Sequence, residues 1–353
     1  MTAKQELIKI LRERISQYHL ASKWAPRKGI VADKLRARRN WSWRFYRKSI
    51  VAGTKVVETQ MCSKQWNAIN FSHVPSIAAN RYQKAFGRNA QEAYAAYKAK
   101  LVKGDDPKVK VNAGAIFPHE VLNGLKNDAI VASARWDALT NNVNDGNVIP
   151  IVDTSGSMSW VKVGNTKYTP LEVALALGLY CATKNTGKFK DIALTFSNNP
   201  RLLSLSGTLS QKYGQMNYGD WGGSTNLAAA FDVLLTTAVK GNVPQDEMPK
   251  TLLILSDMQF NQGCNRNDRA IDMIRKKYQA AGYEVPNVVY WNLNAADNVP
   301  VTFDEKGTAL VSGFNTHIMK AVMDNDLKSF TPENVMLKTI MSKRYVFWCK
   351  SLS

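Results

Sequence analysis

From Asn147 onward, apolar runs of strand length alternate with stretches of helical periodicity. That alternation restricts this part of the chain to a parallel sheet with helices on both faces. The expected strands are Val148–Val152, Ile192–Phe196, Arg201–Leu205, Thr251–Leu255, Asn287–Trp291 and Ala309–Ser312. Helical patterns fall between them at Pro170–Lys184, Asn226–Val239, Asp268–Ala280 and Asn315–Val322. Thr169-Pro170-x-Glu172 reads as a helix start, with Thr169 as the cap and Pro170 in the first turn. The apolar tail Tyr345–Cys349 is expected to pack back onto this body.

The region before it reads differently. Lys4 to His19 spaces Leu7, Ile10, Leu11, Ile15 and Tyr18 at three- and four-residue intervals, and Asn89 to Val102 repeats the pattern with Ala93, Tyr94, Tyr97 and Leu101. Pro26, Gly53 and Pro75 break the segments between, Gly104-Asp-Asp-Pro107 marks a turn, and Pro118 can open a short helix through Val121 and Leu122. Charge follows the same division. Residues 1–140 hold 26 Lys and Arg against 10 Asp and Glu, net +16 of the chain's +19. The expected organisation is therefore a basic, mainly helical domain over 1–140 and an α/β domain over 141–353. A field of that sign suits a polyanion such as nucleic acid.

No apolar run approaches the ~20 residues of a membrane span. The polar start Met1-Thr-Ala-Lys-Gln-Glu-Leu lacks the apolar core of a secretory signal, and four scattered cysteines (Cys62, Cys181, Cys264, Cys349) form no C-x-x-C pair. The expectation is a soluble, cytoplasmic protein without disulfides.

The strand Val148–Val152 runs into Asp153-Thr-Ser155-Gly-Ser157, which places one carboxylate and two hydroxyls on a tight turn. These are hard oxygen donors suited to a small divalent cation, past the carboxyl end of a strand, where open α/β sheets hold their ligands. Gly222-Gly-Ser-Thr225-Asn adds a hydroxyl on a glycine-loosened loop, and Leu252-Leu-Ile-Leu-Ser256-Asp257 adds a strand-end carboxylate. Asp153, Ser155, Ser157, Thr225 and Asp257, in that order, resemble the metal-ion-dependent adhesion site of von Willebrand factor A domains. The resemblance implies a Rossmann-like fold from about Asn147 and a Mg²⁺ (or Mn²⁺) ion held by these five residues. It also implies one open position for an acidic group from a protein ligand.

Other chemistries find less support. Covalent phosphoryl transfer of the haloacid-dehalogenase type needs a second Asp where Ser155 stands. There is no Walker-type phosphate loop, and Gly156-Ser157-Met158-Ser159 lacks the glycine arrangement of a nucleophile elbow. Of the four histidines, His19 lies near a helix end, His73 and His119 lie beside prolines in expected loops, and His317 lies on an expected helix. None adjoins a nucleophile, so no enzymatic activity is expected.

In the basic region, the densest segment runs from Arg27 to Lys48. Arg36, Arg38, Arg39, Arg44, Arg47 and Lys48 are expected to meet phosphates. Trp41, Trp43, Phe45 and Tyr46 can serve either as packing residues or as base platforms.

Ala21-Ser-Lys-Trp24-Ala-Pro26, Trp66-x-x-Ile69-x-Phe71-x-x-Val74-x-Ser76 and Ala113-Gly-Ala-Ile-Phe-Pro118-His119-Glu120 resemble motifs of an uncharacterised family of plant, fungal and large-virus proteins. So do Pro170–Gly178, Thr195–Pro200 and Ser256–Phe260. That family joins a helical half to a von Willebrand A-like half. The layout is also similar to the Ro (TROVE) ribonucleoproteins, whose ring of helical repeats binds RNA. About 140 residues before the α/β domain supply too few helical pairs for a full ring, so RNA is expected on a basic face. The function these features imply is non-enzymatic binding of RNA or another single-stranded nucleic acid. The alternatives are a metal-dependent protein–protein adaptor, for example for an AAA+ ATPase, and a viral structural or assembly component.

Overall fold

The structure, a computed structural model, describes residues 19–54, 56–143, 148–164, 166–195, 199–218, 227–257, 267–294, 303–304 and 308–312. The expected helices near the start and at Asn315–Val322, and the apolar tail, lie outside these residues. The chain divides into two compact units, Met1–Asn112 and Ala113–Ser353.

The first unit is helical. Its elements are α1 (His19–Trp24), α2 (Ile30–Ala37), α3 (Trp43–Gly53), α4 (Val57–Cys62), α5 (Ser76–Asn89) and α6 (Gln91–Lys103). Ser42 caps α3 by accepting from the Phe45 amide at 3.1 Å. A small core gathers Ala25, Ala32, Leu35, Tyr46 and Ile50, and the Tyr46 hydroxyl donates to the Pro26 carbonyl at 2.8 Å. A second knot is aromatic, with Phe71 in ring contact with Phe86, Tyr94 and Tyr97 at 5.0–5.4 Å. Asn112 donates to the Ser72 and Val74 carbonyls, fastening the end of the unit to its middle.

The second unit opens with two helices, α7 (Pro118–Leu125) and α8 (Ala129–Asp137), before the first strand. The division thus falls earlier than the 140/141 boundary suggested by charge. The reason is packing: Trp136 Nε1 donates to Thr183 Oγ1 at 3.1 Å and Tyr180 donates to the Thr140 carbonyl at 2.6 Å. Val121, Leu122, Ala132 and Trp136 join the core of the sheet domain. Charge tracks solvent-facing residues and does not register that seam.

Among the described residues the sheet has seven strands: β1 (Val148–Val152), β2 (Ile192–Thr195), β3 (Leu202–Ser204), β4 (Thr251–Ser256), β5 (Asn287–Asn292), β6 (Phe303–Asp304) and β7 (Thr308–Ser312). Their order is β3-β2-β1-β4-β5-β7-β6. The five inner strands are parallel and the two edges antiparallel. The parallel body is as expected, and the two antiparallel edge strands are added to it. The links from Thr195 to Leu202 and from Asp304 to Thr308 are too short for a parallel crossover, so each strand turns back on its neighbour. The helices are α9 (Ser157–Trp160), α10 (Pro170–Lys184), α11 (Leu209–Asn217), α12 (Leu227–Lys240) and α13 (Asn267–Ala280).

Both faces of the sheet are apolar because helices cover both. Val148 and Val152 join one core with α10, while Ile149 and Ile151 join another with α12 and α13. All of β1 and β4 is buried. Thr169 and Glu172 form the expected capping box, with the Glu172 amide donating to Thr169 Oγ1 at 3.2 Å and the Thr169 amide donating to Glu172 at 2.9 Å. Gly178 lets α10 lie close on β1, since a Cβ there would stand 2.6 Å from Val152 Cγ2. The fold is therefore mixed α/β, a mostly parallel sheet flanked by helices, preceded by a helical region. Among the described residues no helix is long and apolar enough to cross a membrane.

Candidate metal site and basic face

β1 connects outward to β2 on one side, and the chain later returns to place β4 on the other. The carboxyl end of β1 is therefore the point where strand order reverses, the place where open α/β sheets hold their ligands. Asp153 stands at this point, only 5% exposed, its amide donating to the Leu255 carbonyl at 2.9 Å. One carboxylate oxygen accepts from the Ser155 amide at 2.8 Å, and the other accepts from the Ser256 hydroxyl at 2.7 Å. Two donors thus fix the carboxylate before any ligand arrives.

The turn then brings Ser155 Oγ and Ser157 Oγ to 3.0 Å of each other. Adjacent oxygens around an octahedral cation with bonds of about 2.1 Å lie about 3.0 Å apart, so these hydroxyls already stand at the edge length of a Mg²⁺ shell. Asp257, 7% exposed, follows directly at the end of β4. Asp153, Ser155 and Ser157 are brought together, Asp257 lies at the end of the neighbouring strand, and Thr225 lies outside the described residues. The donor chemistry and the serine spacing fit a hard divalent cation. Among the described residues no group of three or more His, Cys, Asp or Glu side chains is placed to hold a metal.

Sequence reasoning missed Ser256 as the residue that orients Asp153. The signal was present, a hydroxyl as the last residue of an apolar strand beside the carboxylate strand. It also missed a cavity of about 240 Å³ lined by His119, Asn123, Lys126, Tyr168, Glu172 and Tyr213. His119 sits in helix α7, where Pro118 opens the first turn, and not in the expected loop. It is 5% exposed, and its ring meets Phe117 at 5.7 Å and Tyr168 at 4.4 Å. Burial, reinforced by the Lys167 charge, pulls its pKa down to about 4. Burial, with Glu120 and Glu172 nearby, pushes the Tyr168 hydroxyl up.

In the first unit, Arg38, Arg44, Arg47 and Lys48 are exposed, while Arg36 and Arg39 are half-buried. Arg36 is engaged locally: it donates to the Trp41 carbonyl at 3.0 Å, pairs with Asp33 at 3.8 Å and lies over the Trp43 ring. Arg47 also lies over Trp43, at 5.5 Å, and Arg39 lies over Trp41 at 5.1 Å. Both indoles pack against the small core. The tryptophans thus hold the arginines in place and offer little free ring surface for stacking.

Residues 31–149 match the model of a domain of unknown function (DUF2828). A search of curated proteins finds an uncharacterized protein of Acanthamoeba polyphaga mimivirus, 32% identical over 357 aligned residues covering 91% of this chain. The chain spans 60% of that relative's length. Among solved structures, the RO (RSR) protein of Deinococcus radiodurans is similar at a TM-score of 0.48 and 14% identity, with 91% of this chain and 76% of that one covered. Residues 147–344, more than half of the chain and all seven strands with it, match the model of a domain of unknown function (DUF7788), and the chain belongs to that family.

Proposed function

We propose that this is a non-enzymatic protein that binds RNA or another single-stranded nucleic acid through its first unit. In the same reading, the second unit is a von Willebrand A-like domain carrying Mg²⁺ or Mn²⁺ at Asp153, Ser155, Ser157, Thr225 and Asp257. The observation that carries the nucleic-acid reading is the concentration of charge. Residues 1–112 hold 24 Lys and Arg against 7 Asp and Glu, and the exposed Arg38, Arg44, Arg47 and Lys48 stand on or beside two consecutive helices. Arg39 adds its charge from above Trp41, whereas Arg36 chiefly stabilises the turn between α2 and α3.

Phosphate neutralisation supplies the affinity, so binding falls as salt rises, with a log–log slope of about −0.7 per phosphate contacted on a single strand. The test is binding of a labelled single-stranded RNA between about 50 and 200 mM salt, for wild type and for Arg38→Glu/Arg44→Glu/Arg47→Glu. Wild type is expected to show a slope of roughly −3, the triple variant a slope shallower by about 2, and EDTA no effect on either. A flat salt response, or no binding at the lowest salt, overturns the reading.

A second reading is favoured by Trp160 and Val161, which follow Ser157 and are 84% and 49% exposed. Apolar surface beside a cation with an open position suits an acidic protein ligand, as an adaptor would require. It predicts partner capture that is lost in EDTA and in Asp153→Ala.

A further inference from the structure

We infer that the first unit also carries a docking groove for an acidic, aliphatic-rich peptide segment of a partner protein, on residues other than the arginines of α2 and α3. A cavity of about 1200 Å³ opens between the end of α3, the turn into α4, and the start of α5. This exceeds the roughly 300–1,000 Å³ of small-molecule pockets and gives room for several side chains. Its walls are aliphatic, with Val51, Val56, Val57, Val74 and Ile77 among the lining residues, and Val51 and Ile77 are 55% and 48% exposed. Lys23, Arg27 and Arg81 line it as well, against one acid, Glu58.

Several of the lining's neutral polar groups also make local hydrogen bonds. Thr54 donates to the Ile50 carbonyl, Thr59 to the Thr54 carbonyl and Gln60 to the Ala68 carbonyl, while Asn70 accepts from the Ser72 amide. Among the described residues the lining thus presents three cations, Lys23, Arg27 and Arg81, beside aliphatic surface. Single-stranded RNA would meet the cations, but its bases stack on rings, and among the described lining residues His73 is the sole ring. A peptide that alternates carboxylates with Leu, Ile or Val uses both features, with carboxylates on Lys23, Arg27 and Arg81 and apolar side chains on the valine and isoleucine walls.

The inference does not depend on the RNA reading, and one experiment separates the two. A random peptide library displayed on phage is panned against the full chain. The most enriched peptide is then labelled and measured against wild type, Arg81→Glu, Ile77→Asp and Arg38→Glu/Arg44→Glu, each checked by circular dichroism. The expected outcome is enrichment of sequences combining Asp or Glu with aliphatic residues. Binding should weaken roughly tenfold in Arg81→Glu and in Ile77→Asp separately, and stay unchanged in Arg38→Glu/Arg44→Glu. Failure to enrich such sequences, or equal binding by all variants, overturns the groove and leaves the RNA reading intact. The groove is also overturned, as an RNA path instead, if labelled oligouridylate loses affinity in Ile77→Asp and Arg81→Glu but keeps it in Arg38→Glu/Arg44→Glu.

Discussion

The two units divide their charge and their buried surface in opposite ways. Residues 1–112 carry a net +17, while residues 113–353 carry 23 Lys and Arg against 21 Asp and Glu, a net +2. The first unit's helices close over small cores, such as the five-residue cluster around Tyr46. The second buries whole strands on both faces and contains fully buried Trp291, Tyr180 and Tyr278. A long-range field needs many charges at approximate positions. A cation site needs a few oxygens held to fractions of an ångström, which only a rigid, deeply packed scaffold supplies. Asp153 is placed between two fixed donors, whereas Arg38, Arg44 and Lys48 are displayed on the surface, the arrangement the proposed division of labour would need.

The largest effect expected to test the contrast is acid sensitivity in the second unit. His119 has a folded pKa of about 4 against an ordinary 6.5, so between those values the unfolded chain takes a proton that the folded one refuses. Stability is therefore full above about pH 6.5, declines as pH falls, and is down by about 3 kcal/mol near pH 4, each pKa unit being worth 1.36 kcal/mol. Lys167 adds to the penalty by repelling the imidazolium. Urea unfolding at pH 7 and pH 5, for wild type and His119→Gln, measures the slope. A wild-type slope as flat as the variant's would show that the buried ring does not control this unit's acid response.

Next in size is the stabilisation that the proposed metal site predicts. An ion present at 100 times its dissociation constant and bound by the folded state alone adds about 2.7 kcal/mol. For a unit this large, that is roughly 5–10 °C in melting temperature. Adding Mg²⁺ should raise the melting temperature of wild type, EDTA should reverse the rise, and Asp153→Ala should abolish it without changing salt-dependent RNA binding. Equal shifts in wild type and Asp153→Ala would remove the metal from these residues. Loss of RNA binding in Asp153→Ala would break the separation of roles between the units.

How much of this was legible in the sequence depends on how local the cause is. β1 and α10 were readable to the residue, because five apolar residues bounded by Asp153 and a cap at Thr169 with Pro170 are local signals. Helix α11 was not, since Leu209 and Met216 alone are buried and the amphipathic stripe is thin, although Thr208-x-x-Gln211 forms a capping box. The turned-back edge strands depend on connection length. The cavity around His119 depends on three distant segments converging, which no sequence window contains. The candidate cation ligands were legible as residue types at strand ends. The role of Ser256 in aiming Asp153 across 103 residues was not.

The smallest effect concerns the first unit and cuts most directly at the contrast. Tyr46 is fully buried, and its hydroxyl donates to the carbonyl of half-buried Pro26. Its ring stands edge-on to Trp43 at 5.8 Å, and Trp43 in turn carries Arg36 and Arg47. Tyr46→Phe keeps the ring and removes one hydrogen bond, whose acceptor can still reach water, so the cost is about 1 kcal/mol. If affinity for RNA comes from summed charge, this loosening leaves binding and its salt slope unchanged, because no cation is lost and the indole still supports Arg47. The measurement pairs thermal unfolding with RNA binding on the same preparation. Destabilisation without loss of binding sustains a first unit that works by field. A tenfold fall in affinity from so small a change would mean that the arginine face is as finely positioned as the strand-end carboxylates, and that the two units do not differ in kind.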